Sequence, residues 1–134
     1  MAAYDWSQGD PATFDWTIRQ GSYESFEFEL ADDEGEPYDC TGLLGRGQIR
    51  VKPGAPSVVG ALVVTLVGAP TAKWRVECLP AALASYNFGI RKSADDLVEC
   101  HYDVELYDPL DTTRVDRRIQ GKALISVETT KAAS

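Results

Sequence analysis

Apolar and polar side chains alternate along most of this 134-residue chain, most clearly over residues 100–106. There the even positions are apolar, and the odd positions carry His101, Asp103 and Glu105. A period of two is typical of a β-strand with one buried face and one wet face. The strand is expected to end at a turn over residues 108–111, because Pro109 presets φ and the flanking Asp side chains bond nearby backbone.

A second alternating stretch returns over residues 113–127. Its pattern places Asp116 and Arg118 on the outer face. The residues expected on the inner face are Val115, Ile119, Ala123, Ile125 and Val127. Two amphipathic strands joined by a turn form a hairpin whose apolar face needs a second layer.

The rest of the chain repeats this pattern. Further strands are predicted over residues 14–20, 23–30, 44–52, 58–67 and 73–78, and one or two helical turns over residues 80–86, with turns rich in Gly, Pro and Asp between them. About seven strands at this spacing predict an all-β fold, an immunoglobulin-like antiparallel β-sandwich with one short helix. Tyr102 is a candidate for the tyrosine corner of such a fold. The predicted organisation is an extended N-terminal arm (1–13), the sandwich (14–128) and a polar tail (129–134).

The strand predicted over residues 58–67 is apolar on both sides. Val58, Leu62, Val64 and Leu66 share one side, and Val59, Ala61, Val63 and Val67 share the other. A strand with one exposed face should carry polar residues there. Two alternatives stay open: the chain's own loops cover the second face, or another subunit does.

The arm over residues 1–13 carries Tyr4 and Trp6 among polar residues and shows no sustained period. Tyr and Trp are typical anchors of protein interfaces. The arm is therefore expected to be tied either to the body or to a neighbour. Together with the second face of the 58–67 strand, it supplies the candidate interface residues: Tyr4, Trp6, Val59, Ala61, Val63 and Val67.

Composition narrows the classes of function. The formal net charge of −8 argues against binding nucleic acid or an anionic membrane through bulk electrostatics. The start shows no basic region followed by an apolar one, and the longest apolar run is about half a membrane span. We therefore expect a protein made in the cytoplasm. The odd cysteine count favours free buried thiols at Cys40, Cys78 and Cys100; the alternative left open is that Cys78 and Cys100 face each other across the core.

No group of residues indicates catalysis, a cofactor or a metal. His101 is the single histidine and lies on the polar side of its strand. Asp103 and Glu105 have the i, i+2 spacing that any alternating strand produces, without a cleft for a substrate. The acidic residues near 32–36 lack a calcium-loop pattern, and the glycines of 42–47 lack the end of a phosphate loop. The predicted site is accordingly an interface, with no catalytic, cofactor or metal residues.

The chain as a whole resembles a family of small bacteriophage virion proteins encoded in tail and baseplate gene clusters, which are similar to the N-terminal domain of baseplate upper proteins. Cys40 replaces a common Leu, and the segment from Asn87 to Cys100 is longer than usual. The residues that carry the resemblance are Trp16 to Gly21, Phe26-Glu27-Phe28, Gly35 to Gly42, Gln48-Ile49-Arg50, Tyr102 to Leu106 and Gly121 to Thr130.

The resemblance implies a non-enzymatic structural protein of the virion, made in the host cytoplasm. It would be an adaptor or connector that joins fibres or receptor-binding proteins to the tail or baseplate, with other phage structural proteins as partners and several copies assembled. One alternative is a capsid decoration or neck protein. Another is a carbohydrate-binding module, with Trp6, Trp74 or Tyr107 as stacking platforms.

Overall fold

The computed structural model describes residues 2–68, 72–84, 86, 88 and 97–127. The loop expected near residues 87–93, apart from Phe88, and the tail expected at 129–134 lie outside this part. Within it the chain forms ten strands and one short helix. The strands are β1 (Ala2–Ala3), β2 (Ala12–Thr13), β3 (Trp16–Arg19), β4 (Glu24–Glu29), β5 (Tyr38–Asp39), β6 (Leu44–Arg50), β7 (Val58–Leu66), β8 (Lys73–Cys78), β9 (Leu97–Asp108) and β10 (Asp111–Ser126), and the helix is α1 (Pro80–Ala84).

The strands form two layers that share β7. In one layer β6, β9 and β10 are antiparallel neighbours, and β3 runs parallel to β10 at the edge. In the other layer β8 lies between β4 and β7. The first half of β7 pairs with β6 and the second half pairs with β8, so the sheet folds over along this strand. This pairing confirms the all-β, immunoglobulin-like sandwich.

The main core fills the space between the layers. Its fully buried members come from both sides, including Ile18 and Ile125 from one layer and Val76 from the other. Trp16 and Phe26 meet edge to face across the layers, with ring centroids 4.8 Å apart. A second, smaller cluster surrounds Trp74. Burial of these alternating apolar faces is what selects the sandwich over an open sheet.

The β9–β10 hairpin forms where the alternation placed it, but the sidedness of early β10 is reversed. Val115 is 42% exposed, whereas Asp116 and Arg118 are buried. The register steps between Arg117 and Ile119, so Arg118 is an extra residue, as in a β-bulge. An added residue turns every side chain before it to the opposite face. The prediction that Val115 faces inward and Asp116 and Arg118 face outward is therefore wrong.

A similar step corrects the sidedness of β7. Ile49 pairs with Gly60 and Arg50 pairs with Val58, which leaves Val59 as the extra residue. Val59 is consequently only 6% exposed, and Val58 is 39% exposed. The expectation that Val59 lies on the outer face is wrong, because the alternation of β7 begins after this bulge.

The two residues just before the edge strand β3 are fixed to β9 and β10 by short polar contacts. The Tyr102 hydroxyl donates a hydrogen bond to the Phe14 carbonyl oxygen at 2.5 Å. The backbone N–H of Lys122 donates to Asp15 Oδ1 at 3.0 Å. In a tyrosine corner the hydroxyl bonds to backbone a few residues upstream, whereas Phe14 lies 88 residues before Tyr102. The prediction that Tyr102 forms a tyrosine corner is therefore wrong.

Gly121 allows this close approach. A Cβ atom built on Gly121 would collide with the carbonyl group of Phe14. We expect Gly121→Ala to lower the free energy of unfolding by ~1–3 kcal/mol, because the backbone before β3 would have to move away. Urea unfolding followed by tryptophan fluorescence measures this. Lys122→Ala, at the next position and on an exposed side chain, should change it by less than ~0.5 kcal/mol; equal losses for both variants would contradict the explanation.

The three cysteines are buried and free, as predicted. Burial raises the pKa of the Cys78 thiol from 9.0 to about 11, and it raises the pKa of Cys40 and Cys100 as well. These thiols ionise at a lower pH in the unfolded chain than in the folded chain. Their contribution to the free energy of unfolding is therefore complete below pH 9 and declines as the pH rises towards 11.

Cys78→Ala should therefore flatten the fall in unfolding free energy between pH 9 and pH 11, while it also lowers the value at pH 7 by leaving a cavity. Urea titrations at several pH values measure both effects. A wild-type curve that is level from pH 9 to pH 11, or a variant curve that is equally steep, would contradict this account.

Candidate functional site

The N-terminal arm lies against the body of its own chain. Ala2 and Ala3 run parallel to β5. The Tyr4 ring packs between Trp6 and Tyr38, with centroid distances of 4.7 and 5.7 Å. Of the two alternatives left open by the sequence, attachment to the body is therefore the one that this structure shows.

Beneath the arm lies a pair of buried charges on β10. Asp116 and Arg118 are separated by one residue, and their side chains are 10% and 7% exposed. Arg118 Nε lies 3.1 Å from Asp116 Oδ1, but the angle does not make an aligned hydrogen bond. The pair is therefore held by charge attraction, and each group needs further partners because burial without them is costly.

The arm supplies those partners. Tyr4 donates its hydroxyl proton to Asp116 Oδ2 at 2.8 Å. Arg118 donates to the Gly9 carbonyl oxygen at 2.6 Å and, more weakly, to Gln8 Oε1 at 3.4 Å. Burial raises the pKa of Tyr4, and the hydrogen bond to Asp116 raises it further. Because hydrogen bonds to charged groups are stronger than neutral ones, these contacts hold the arm in place.

The outer face of β7 forms a second, separate surface. Ala61 and Val63 face outward, and Val63 is 42% exposed. Val67 is only partly buried just after the strand. Tyr4, by contrast, packs with the inward-facing Val64 against the cluster around Trp74. The candidate interface residues thus fall into two groups, the arm and the outer side of β7, and the structure does not bring them together.

A groove of about 840 Å³ crosses the outer face of β6, β9 and β10 beneath the loop at residues 53–56. His101 and Asp103 lie on its floor, and burial raises the pKa of Asp103 although Arg117 opposes this. This face also carries exposed ion pairs, each of which contributes little to the stability of the fold. The pairs on this face join Arg46 Nε to Glu105 Oε1 (3.0 Å), Arg117 Nη2 to Asp103 Oδ2 (3.5 Å) and Lys122 Nζ to Glu99 Oε1 (3.5 Å).

The structure also gives the positions of the other candidates for catalysis, metal binding and sugar stacking. His101 lies 3.8 Å from Glu99 on the polar face of β9. In the described part of the chain, no cluster of three or more His, Cys, Asp or Glu residues is arranged to hold a metal ion. Trp74 is 1% exposed, so the expectation that it is a stacking platform for sugars is wrong. Arg46 covers the Tyr107 ring at 4.8 Å from its centroid.

Among the described residues, no helix has the length and apolar character needed to cross a membrane. No protein-family model matches the sequence, and no curated protein matches it. A solved structure that matches is the monoclinic crystal form of the ZIG-8–RIG-5 IG1–IG1 heterodimer, with a TM-score of 0.35 and 11% identity over 88% of this chain and 84% of that one. A TM-score of 0.35 is too low to show a shared fold. The architecture is therefore assigned from the strand pairing of this chain.

Removal of one buried charge should be costly. We expect Arg118→Met to lower the unfolding free energy by ~3–5 kcal/mol, because Asp116 then stays buried without its counter-charge. Replacing both charges, with Asp116→Leu and Arg118→Met together, should cost clearly less than the sum of the single changes. Urea unfolding of the four proteins gives the double-mutant cycle.

The control for this cycle is Arg117→Met, one residue away. Arg117 pairs with Asp103 on the exposed face, with side chains that are 48% and 29% exposed. Its loss should change stability by ~0–1 kcal/mol. Additive effects of the two buried changes would contradict the claim that Asp116 and Arg118 form a coupled pair. A loss of stability for Arg117→Met equal to that for Arg118→Met would contradict the claim that burial makes this pair costly to break.

Proposed function

We propose that this chain is a non-enzymatic structural protein of a bacteriophage particle, an adaptor in the tail or baseplate that connects fibres or receptor-binding proteins to the particle. The observation that carries the proposal is the position of the residues that resemble the phage family. Those in the described part of the chain include buried core residues, among them Trp16, Ile18 and Ile49, together with the turn that ends at Gly42. A shared pattern at such points is expected when two sequences form the same framework.

The stretch from Gly35 to Gly42 is the clearest example. Its two inward residues, Tyr38 and Cys40, are 8% and 0% exposed and belong to the cluster around Trp74. Asp39 Oδ1 accepts hydrogen bonds from the backbone N–H and the hydroxyl of Thr41, at 3.0 and 2.6 Å. Gly42 follows with φ at +83°, a conformation that glycine adopts without strain. The matched residues Asp39, Thr41 and Gly42 thus have structural roles in this turn, whereas Cys40 fills the cluster at a position where the family commonly has Leu.

The outer side of β7 supports an assembly role. Val63 faces Glu77 of β8 across the sheet, and both Ala61 and Val63 present apolar side chains to the outside. Covering such side chains with a neighbouring protein removes apolar area from water. In the proposal this face contacts another structural protein of the particle, and several copies of the chain are present.

The proposal predicts that the chain is a component of purified virions. An epitope-tagged copy should co-sediment with infectious particles, and immunogold labelling should place it on the tail or baseplate. Labelling confined to the head would favour the alternative of a capsid decoration or neck protein. Particles that form complete and infectious without the chain, and that never contain it, would overturn the proposal.

Val63→Glu tests the docking face within the same experiment. We expect the variant to fold but to enter particles at least tenfold less than the wild type, because a charge would be buried against the neighbour. Val115→Glu is the matched control, since Val63 and Val115 are both 42% exposed and lie on different strands. Equal incorporation of the two variants would show that the outer side of β7 is not the contact surface.

A further inference from the structure

The floor of the groove on the outer face of β6, β9 and β10 carries a row of three basic side chains. Arg50 on β6 and Lys122 on β10 are both direct partners of His101 on β9. Direct partners on neighbouring strands point to the same side of a sheet, and adjacent strands are about 5 Å apart. Arg50, His101 and Lys122 therefore form one line across the floor, the basic row, and all three line the groove.

A second row, the polar row, lies beside the basic row. Gln48 on β6 and Gln120 on β10 are both partners of Asp103 on β9, and each of the three is two residues from a member of the basic row. Side chains two residues apart on a strand share a face. An amide group donates and accepts hydrogen bonds and a carboxylate accepts them, so this row matches hydroxyl groups, which also do both.

The walls of the groove are held by hydrogen bonds. Arg50 donates through Nη1 to the Ala55 carbonyl oxygen at 2.7 Å, which fixes the loop at residues 53–56 beside the floor. Its Nη2 donates to Gln48 Oε1, so these two acceptors of the half-buried guanidinium are both neutral. On the other side, Asp15 Oδ1 accepts a hydrogen bond from the backbone N–H of Lys122. The groove is thus a built feature of the fold, with positive charge on its floor.

The carboxylates near the floor leave the basic row accessible to an anion. Asp103 pairs with Arg117, which lies outside the basic row. Glu99 lies 3.5 Å from Lys122 Nζ and 3.8 Å from His101 Nε2, but its side chain is 55% exposed. Exposed ion pairs of this kind are worth little, so an incoming anion replaces Glu99 at small cost. In a chain with a formal net charge of −8, the basic row is therefore a local site of attraction for a negative group.

We propose that this groove binds an acidic saccharide, with a carboxylate of the sugar on the basic row and its hydroxyl groups on the polar row. The volume of about 840 Å³ lies in the range of small-molecule sites. A peptide is disfavoured, because β6, β9 and β10 are each paired on both sides and extended peptides are bound through free sheet edges. The inference goes beyond the adaptor role and requires only the folded chain.

The first test is a titration of the full-length, isotope-labelled chain with tetragalacturonate, followed by NMR. The amide signals of Gln48, Asp103 and Gln120 should shift together in one saturable process, whereas that of Val76 on the other layer should not. The neutral sugar maltotetraose and the acidic peptide tetraglutamate should each bind at least about tenfold more weakly. The absence of a saturable shift up to about 10 mM tetragalacturonate, or equally tight binding of either control, overturns the proposal.

Lys122→Met tests the basic row. It should weaken the binding of tetragalacturonate by about tenfold or more, because a hydrogen bond between charged groups is lost. Lys73→Met is the matched control, since both lysines pair with a glutamate, at 3.5 and 3.3 Å, and their side chains are 49% and 44% exposed, but Lys73 lies on β8. Equal losses of affinity for the two variants overturn the proposal.

Gln120→Met tests the polar row and separates a saccharide from other anions. It should weaken the binding of tetragalacturonate by about fivefold, and leave the weaker binding of tetraglutamate unchanged because the peptide has no hydroxyl groups. A parallel loss for both ligands, or no loss for tetragalacturonate, overturns the assignment to a saccharide. Virion incorporation is measured separately, so failure of the adaptor role and failure of this site are distinguishable.

Discussion

The buried pair of Asp116 and Arg118 is the constraint on which this end of the molecule depends. Moving charges out of water is expensive, and an isolated pair recovers that cost only when its remaining donors and acceptors are satisfied. In this chain the satisfying groups come from the arm, through the Tyr4 hydroxyl and the Gly9 carbonyl. The arm is thereby held in one place by polar contacts as well as by the packing of Tyr4 on the cluster around Trp74.

Most of the fold was predictable from the alternation of side chains, for a definite physical reason. Where two layers bury one face of a strand and leave the other wet, a period of two follows directly. The strands β4, β8 and β9 show this plainly, with Phe26, Val76 and Val104 turned inward. Their bounds in the structure differ from the predicted ranges by at most three residues at either end.

The errors about which face of a strand a side chain occupies occur at two bulges, which alternation cannot reveal. Arg118 and Val59 are each one residue too many for the facing strand, and neither stretch carries a glycine or proline at the extra residue. A charged residue at an apparently outer position is indistinguishable, by sequence pattern, from one that turns inward beneath a distant arm. The hydrogen bond from Tyr4 to Asp116 spans 112 residues, so no local signal predicts it. For the same reason, the sequence identified Tyr4 as an anchor but not what it anchors to.

The arm and the outer side of β7 are separate, and they differ in the kind of contact that they make. Tyr4 donates its hydroxyl proton to Asp116 and Ala2–Ala3 pair with β5, so the arm makes a specific and directional contact with its own body. Val63 offers apolar area without direction. In the proposed adaptor, the arm completes the body of its own chain, and the outer side of β7 contacts another structural protein without competing for the arm's residues.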